Sequence, residues 1–174
     1  LQDKQREPDH LASHDAPTGL PNRRMFLDRL EHALARARRN DEPVAVLFID
    51  LDKFKDINDS LGHATGDIVL RTTAQRMLSV IREADTAARI GGDEFVILLD
   101  GTVEREDIAR VADKVIETLG QPVEQDGHSL HIGASIGIAC YPQDGKTGNE
   151  LLGRADQAMY EAKCTGRNRY VFAS

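Results

Sequence analysis

The sequence predicts an α+β fold, a βαββαβ core with helices covering one face of a central, mainly antiparallel sheet. Three observations lead to it. The run VAVLFIDLD at 44–52 is apolar almost from end to end, which suits a central strand covered on both sides. TAARI and FVILL flank GGDE, the pattern of two strands joined by a tight turn. Around these strands, four stretches repeat apolar residues at helical spacing. The order is therefore helix, strand, helix, strand, strand, helix, strand, helix, strand.

Taken in order, the opening LQDKQREPDHLASHD is polar, with sparse apolar positions and Pro8 in its middle. Residues 1–13 are read as a linker, partly helical, leading in from an upstream domain, and residues 14–174 as one domain. APTGLPNRR carries loop punctuation, and Asn22 is placed to cap the next helix. That helix runs from Arg23 to Arg39, with Met25, Phe26, Leu30, Leu34 and Ala37 recurring on one side. Basic residues fill its last turn, where the helix dipole favours them. The segment 67–83, DIVLRTTAQRMLSVIRE, is expected as a second helix with Ile68, Leu70, Ala74, Met77, Leu78 and Ile81 inward. REDIARVADKVIETL is the third, stopped by Gly120. HSLHIGASIGIACY at 128–141 alternates small and apolar residues as one strand. NELLGRADQAMYEAK is the last helix, with Leu151, Leu152, Ala155, Met159 and Ala162 aligned, and RYVFA is a final short strand.

The totals narrow the function classes. At 174 residues the chain is large enough for a core of its own, and with 40% hydrophobic residues it carries no run of transmembrane length. A net charge of -7 argues against a nucleic-acid surface, which needs a basic stripe. Cys140 and Cys164 are the two cysteines, without metal-ligand spacing, which fits a reduced, cytoplasmic compartment. No secretory signal pattern opens the chain, and its start at Leu1 rather than methionine reads as a fragment of a longer protein, itself open to membrane tethering.

The chemistry gathers at strand ends. Asp50 and Asp52 close the buried run, and Asp93 and Glu94 stand at the hairpin tip. In a βαββαβ sheet these two elements are neighbours, so the acids can converge. Magnesium takes few carboxylate oxygens and completes its shell with water and substrate phosphate. A pair of such ions about 3.5–4 Å apart activates an attacking oxygen and stabilises a leaving one. The plainer alternative is that acids simply end strands at solvent.

Lys53 and Lys55 place positive charge beside the acids, where a turn can also present backbone N–H groups to phosphate. Asn58, His63 and Asp67 follow. A carboxylate such as Asp67 can accept from N1 and N2 of guanine, and an amide such as Asn58 suits the mixed edge of that base. Taken singly, Asn58 is equally a turn residue and Asp67 a helix N-cap. Lys163, Arg167 and Arg169 surround Gly166 at the end of the last helix, a tight exit that can turn Arg167 back toward phosphate.

TGLPNRR, DLDKFKDINDSLGHATGD, RIGGDEF and AMYEAKCTGRNR together resemble the GGDEF family of diguanylate cyclases, in order and spacing, over residues 14–172. The resemblance implies a ferredoxin-like palm, related to nucleotidyl cyclases and polymerases, that condenses two GTP into cyclic di-GMP with release of pyrophosphate. It implies magnesium, or manganese in its place, held by Asp50, the Leu51 carbonyl, Asp93 and Glu94. Asp93 matches the catalytic acid that helps deprotonate the ribose 3′-hydroxyl, and Glu94 a further acid at the metal. Asn58 and Asp67 match the guanine readers, with His63 at a substrate-contacting position. Lys55, Lys163 and Arg167 match phosphate contacts. Gly91 and Gly92 would let the backbone approach the nucleotide.

One domain holds one GTP, so catalysis implies a homodimer. Arg82 and Asp85 form an RxxD pattern ahead of the glycines, the family's inhibitory site for cyclic di-GMP, with Lys114 as its assisting cation. The ordinary alternative there is a helix-end arginine followed by a turn aspartate. Pro17 departs from the family, which usually has leucine there, but touches no ligand position.

Two functions compete: an active diguanylate cyclase, or a non-catalytic GTP- or cyclic-di-GMP-binding domain that regulates an attached domain such as an EAL phosphodiesterase. The unbroken signature favours the first. A polymerase would need a basic template track that the chain lacks.

Overall fold

The computed structural model describes residues 12–101 and 104–174, so residues 1–11 of the expected linker lie outside the described residues. Helix α1 (Arg23–Asn40) leads into β1 (Val44–Asp52), followed by α2 (Phe54–Leu61) and α3 (His63–Val80). The hairpin of β2 (Thr86–Gly91) and β3 (Glu94–Asp100) precedes α4 (Arg105–Leu119) and a small hairpin of β4 (Val123–Gln125) and β5 (His128–Leu130). The chain closes with β6 (Gly133–Tyr141), α5 (Gly148–Cys164) and β7 (Arg169–Phe172).

The main sheet has five strands in the order β2-β3-β1-β6-β7. β1 pairs antiparallel with β3 on one side and β6 on the other, β2 with β3 likewise, and only β7 runs parallel to its neighbour β6. This is the expected α+β, ferredoxin-like βαββαβ arrangement with one added edge strand.

All nine residues of β1 are buried. Alternation sends Ala45, Leu47, Ile49 and Leu51 into one core with Phe54, Val69, Met77, Ile108 and Val115 from α2, α3 and α4. Val44, Val46 and Phe48 go into a second core with Phe26, Leu30 and Leu34 of α1 and Leu151, Ala155 and Met159 of α5. Helices therefore cover both faces, not one as the pattern of elements suggested. The apolar run of β1 already carried that information, since a strand without a polar face needs cover on each side.

Asn22 does cap α1, its Oδ1 accepting from the Met25 N–H at 3.1 Å. Thr147 caps α5 in the same way through the Glu150 N–H at 3.1 Å. Three other details depart from expectation. The second predicted helix begins at His63 rather than Asp67, because Gly62 with φ 92° ends α2 and opens α3. Leu78, expected inward, is 52% exposed, whereas Val69, not expected inward, is fully buried. The strand expected over 128–141 is two strands, its first piece folding back on β4 rather than extending the sheet.

Candidate active site

β1 and β3 are paired so that Asp50 lies opposite Glu94. The pairing continues one step past the strand, where the Leu51 N–H donates to the Asp93 carbonyl at 3.0 Å. The hairpin tip is thus fixed against the end of β1, and the acids from 50 and 93–94 do converge. Gly92 and Asp93 form the two-residue tip, with Gly92 at φ 49° in the left-handed region that favours glycine. Glu94 already belongs to β3, one residue earlier than the apolar run alone suggested.

Asp50 is 6% exposed, and its Oδ2 meets Lys163 Nζ at 2.6 Å. Its Oδ1 is buried without a hydrogen-bond partner. Burial pushes the Asp50 carboxyl up to about 7; Lys163 opposes the rise and the neighbouring Asp93 adds to it. Burial also raises Glu94, with Asp156 and Asp93 reinforcing the shift against Lys163 and Arg23. Burial acts to lower Lys163, but its bond to Asp50 and the charges of Asp50, Asp93 and Asp52 outweigh that and raise it. The site is a group of acids answered by one lysine, with one carboxylate oxygen left unpaired.

Asp52, two residues on, is already spent on structure. Its Oδ1 accepts from Ser135 Oγ at 2.8 Å and its Oδ2 from the Asn168 N–H at 3.0 Å. Among the described residues no three Asp, Glu, His or Cys side chains gather as a complete metal cage.

The junction of α2 and α3 carries the next group. Asn58 is half-buried on α2, its Oδ1 buried and unpaired. His63 and Asp67 are exposed on the first turns of α3, and Lys55 is exposed on the first turn of α2. Asp67 is not the N-cap, a place taken by Gly62. Among the described residues, Asp50 Oδ1 and Asn58 Oδ1 are the buried side-chain polar atoms that lack a partner. Such atoms are costly inside a protein, and both lie at sequence-predicted positions; the Asn58 oxygen is packed against Gly66, where a Cβ would lie 1.8 Å from it.

Beyond α5 the chain turns through Gly166, Arg167 and Asn168, all with positive φ. Arg167, exposed, shares a cavity of about 480 Å³ with Lys53, Asp52, His131 and Gly133.

Arg82 and Asp85 bind each other rather than standing open. Arg82 donates to Asp85 Oδ1 at 3.1 Å and Oδ2 at 3.3 Å, and to the Asp100 carbonyl at 2.9 Å. Asp85 Oδ1 also accepts the Asp100 N–H at 3.2 Å, bracing the end of β3. Arg82 and Lys114 line one cavity of about 390 Å³ together with Arg110, a cation the sequence reading missed. Asp85 faces a separate one with Arg29, His32 and Arg36.

Residues 12–169 match the family model described as "Diguanylate cyclase, GGDEF domain". The chain belongs to the GGDEF family. Over 167 residues it is 50% identical to the bifunctional diguanylate cyclase/cyclic di-GMP phosphodiesterase MucR of Pseudomonas aeruginosa, covering 96% of this chain and 24% of that protein. It is 46% identical over 168 residues to diguanylate cyclase TpbB of the same species, covering 96% of this chain and 39% of TpbB. The chain thus spans well under half the length of these relatives. A solved structure comprising only the GGDEF domain of TpbB superposes with a TM-score of 0.90 at 46% identity, covering 92% of this chain and 94% of that one.

One feature of this GGDEF domain escaped the sequence reading. Arg89 donates to the Gly92 carbonyl through Nε at 3.0 Å and Nη2 at 2.8 Å. Its Nη1 meets Asp15 Oδ1 at 2.9 Å, and both side chains are largely buried. The entry turn is therefore clamped to the β2–β3 hairpin across 74 residues. Pro17 sits within that turn, where Asp15 Oδ2 also accepts from Thr18 Oγ1 at 2.7 Å, and it disturbs neither bond.

Proposed function

We propose that this domain is a diguanylate cyclase, working as a homodimer and taking two GTP to cyclic di-GMP and two pyrophosphates. The observation that carries the proposal is the unpaired Asp50 Oδ1, buried beside Asp93 at the end of β1. Asp50, the Leu51 carbonyl, Asp93 and Glu94 would hold magnesium or manganese, which when bound supplies charge neutralisation for the phosphates.

The chain's own residues do the rest. Asp93 accepts the proton of the ribose 3′-hydroxyl. The 3′-oxygen then attacks the α-phosphorus of the GTP on the partner domain, and the bond from that phosphorus to the bridging oxygen breaks. The electron pair leaves with pyrophosphate. Two such transfers close the ring. Lys55, Lys163 and Arg167 hold the triphosphate, and positioning supplies most of the rate gain. Lys163 answers Asp50 in this structure and would exchange that carboxylate for phosphate oxygen when nucleotide binds.

Asn58 and Asp67 read guanine, with His63 beside them. Space above the hairpin tip is open, since a Cβ on Gly91 or Gly92 would meet no atom within 4 Å, and there the nucleotide backbone can approach. For the product, Arg82, Asp85 and Lys114 form the inhibitory site; the cavity shared by Arg82 and Lys114 supports the pairing of those two cations.

The test is to fuse the domain to a dimerising coiled coil, incubate it with GTP and magnesium, and separate the nucleotides. Cyclic di-GMP is expected. GTP that binds tightly without turnover would instead make the domain a regulatory binding module.

A further inference from the structure

We propose that Gly66 is a positioning residue for base selectivity: the side chain it lacks is the space in which the Asn58 carboxamide lies. The inference rests on the reading of Asn58 and Asp67 as base contacts. Gly66 is buried in the first turns of α3, where its N–H donates to the Gly62 carbonyl at 3.2 Å. Its backbone is ordinary right-handed helix, so no conformational demand explains a glycine there, and alanine is the better helix former.

Space explains it. A Cβ on residue 66 would lie 1.8 Å from Asn58 Oδ1 and 2.9 Å from its Cγ. Phe54 Cζ, at 3.4 Å, would be in ordinary contact. The obstructed atoms are the end of a rotatable side chain, not backbone. Alanine would therefore be admitted by swinging the Asn58 amide away while α2 and α3 stay packed.

Nor does a hydrogen bond hold the amide at its Oδ1, which is buried and unpaired. Steric fit into the notch at Gly66 is what keeps that end of Asn58 in place, with Asp67 the next residue along α3. Selectivity for guanine is then set by three residues rather than two, and the third never touches the base.

The experiment measures binding, so it does not depend on turnover. Calorimetry with α,β-methylene GTP and α,β-methylene ATP, in magnesium, is run on the wild-type domain, Gly66→Ala, Asn58→Ala and the double variant. Gly66→Ala is expected to weaken the guanosine analogue about tenfold, the scale of one lost hydrogen bond, and to leave the adenosine analogue unchanged. Its melting temperature should equal or exceed wild type. In the Asn58→Ala background, where the obstruction is gone, Gly66→Ala should add nothing.

Wild-type affinity in Gly66→Ala alongside weakened Asn58→Ala would overturn the inference and leave the base contacts standing. Undiminished affinity in Asn58→Ala would remove the base-contact reading and this inference with it. Unfolding of the double variant would make Gly66 a packing residue and equally overturn the inference.

Discussion

A carboxylate buried beside another carboxylate carries its own pH signature. Asp50 sits near 7 in the folded domain against an ordinary value of 3.8, so the folded state holds a proton that the unfolded chain has already released. Stability of the metal-free domain should therefore fall as pH rises from about 4 to about 7. Asp50→Asn is expected to raise the melting temperature in chelator by a few degrees at pH 8, on the order of 1–2 kcal/mol, and to lose that gain by pH 4. A melt of both proteins at the two pH values checks this. The same substitution should abolish turnover, the trade expected where a site is strained for function. Asp93→Asn and Glu94→Gln should each cost about 10²-fold or more in kcat with little change in melting temperature, measured by product formation. These acids were legible in the sequence because two strand ends carried them together. The division of labour between Asp50 and Asp52 was not, since it depends on Ser135 of β6 and on Asn168 in the bend before β7, both far along the chain.

The hairpin is the element that matters most. Its tip is held by the Leu51–Asp93 backbone bond on one side and by Arg89 on the other. Arg89→Ala removes both bonds to the Gly92 carbonyl and leaves Asp15 without its cation. It is expected to lower kcat about tenfold or more, with Asp15→Asn giving a smaller loss in the same direction; steady-state kinetics on the two variants would show this order. An effect confined to melting temperature would make the clamp merely structural. Sequence patterning placed the hairpin but not the clamp, because a contact across 74 residues leaves no local trace. It also passed over α2, an eight-residue helix whose burial rests on Phe54 and Ile57 alone. Polar residues dominate the rest of FKDINDSL, so a window tuned to longer amphipathic helices sees a loop. The β4–β5 hairpin was hidden for a similar reason, with three residues in each strand and only Val123 buried.

For the whole molecule, the proposed reaction has one site hold one GTP and takes the second from a partner domain. Specific activity of the isolated domain should rise with protein concentration and level off once the domain is fused to a dimerising coiled coil. Activity independent of concentration at nanomolar protein would argue against the two-domain reaction. The proposed product site is tested separately from folding by Lys114→Ala, which leaves the Arg82–Asp85 brace intact. That variant should bind cyclic di-GMP several-fold more weakly with an unchanged melt, whereas unchanged affinity would remove Lys114 from the site. The overall architecture was readable because the order of strands and helices leaves few topologies. Cover on both faces of β1 was readable from its unbroken apolar length, whereas the order of elements alone left the helices on one face. The most direct test of the account is a crystal structure of the domain with magnesium and α,β-methylene GTP. The cation is expected about 2.1 Å from Asp50 Oδ1, with Asp93 or Glu94 in the same shell and Lys163 turned to the triphosphate. A bound nucleotide with Asp50 still paired only to Lys163, and no cation against its free oxygen, would contradict it.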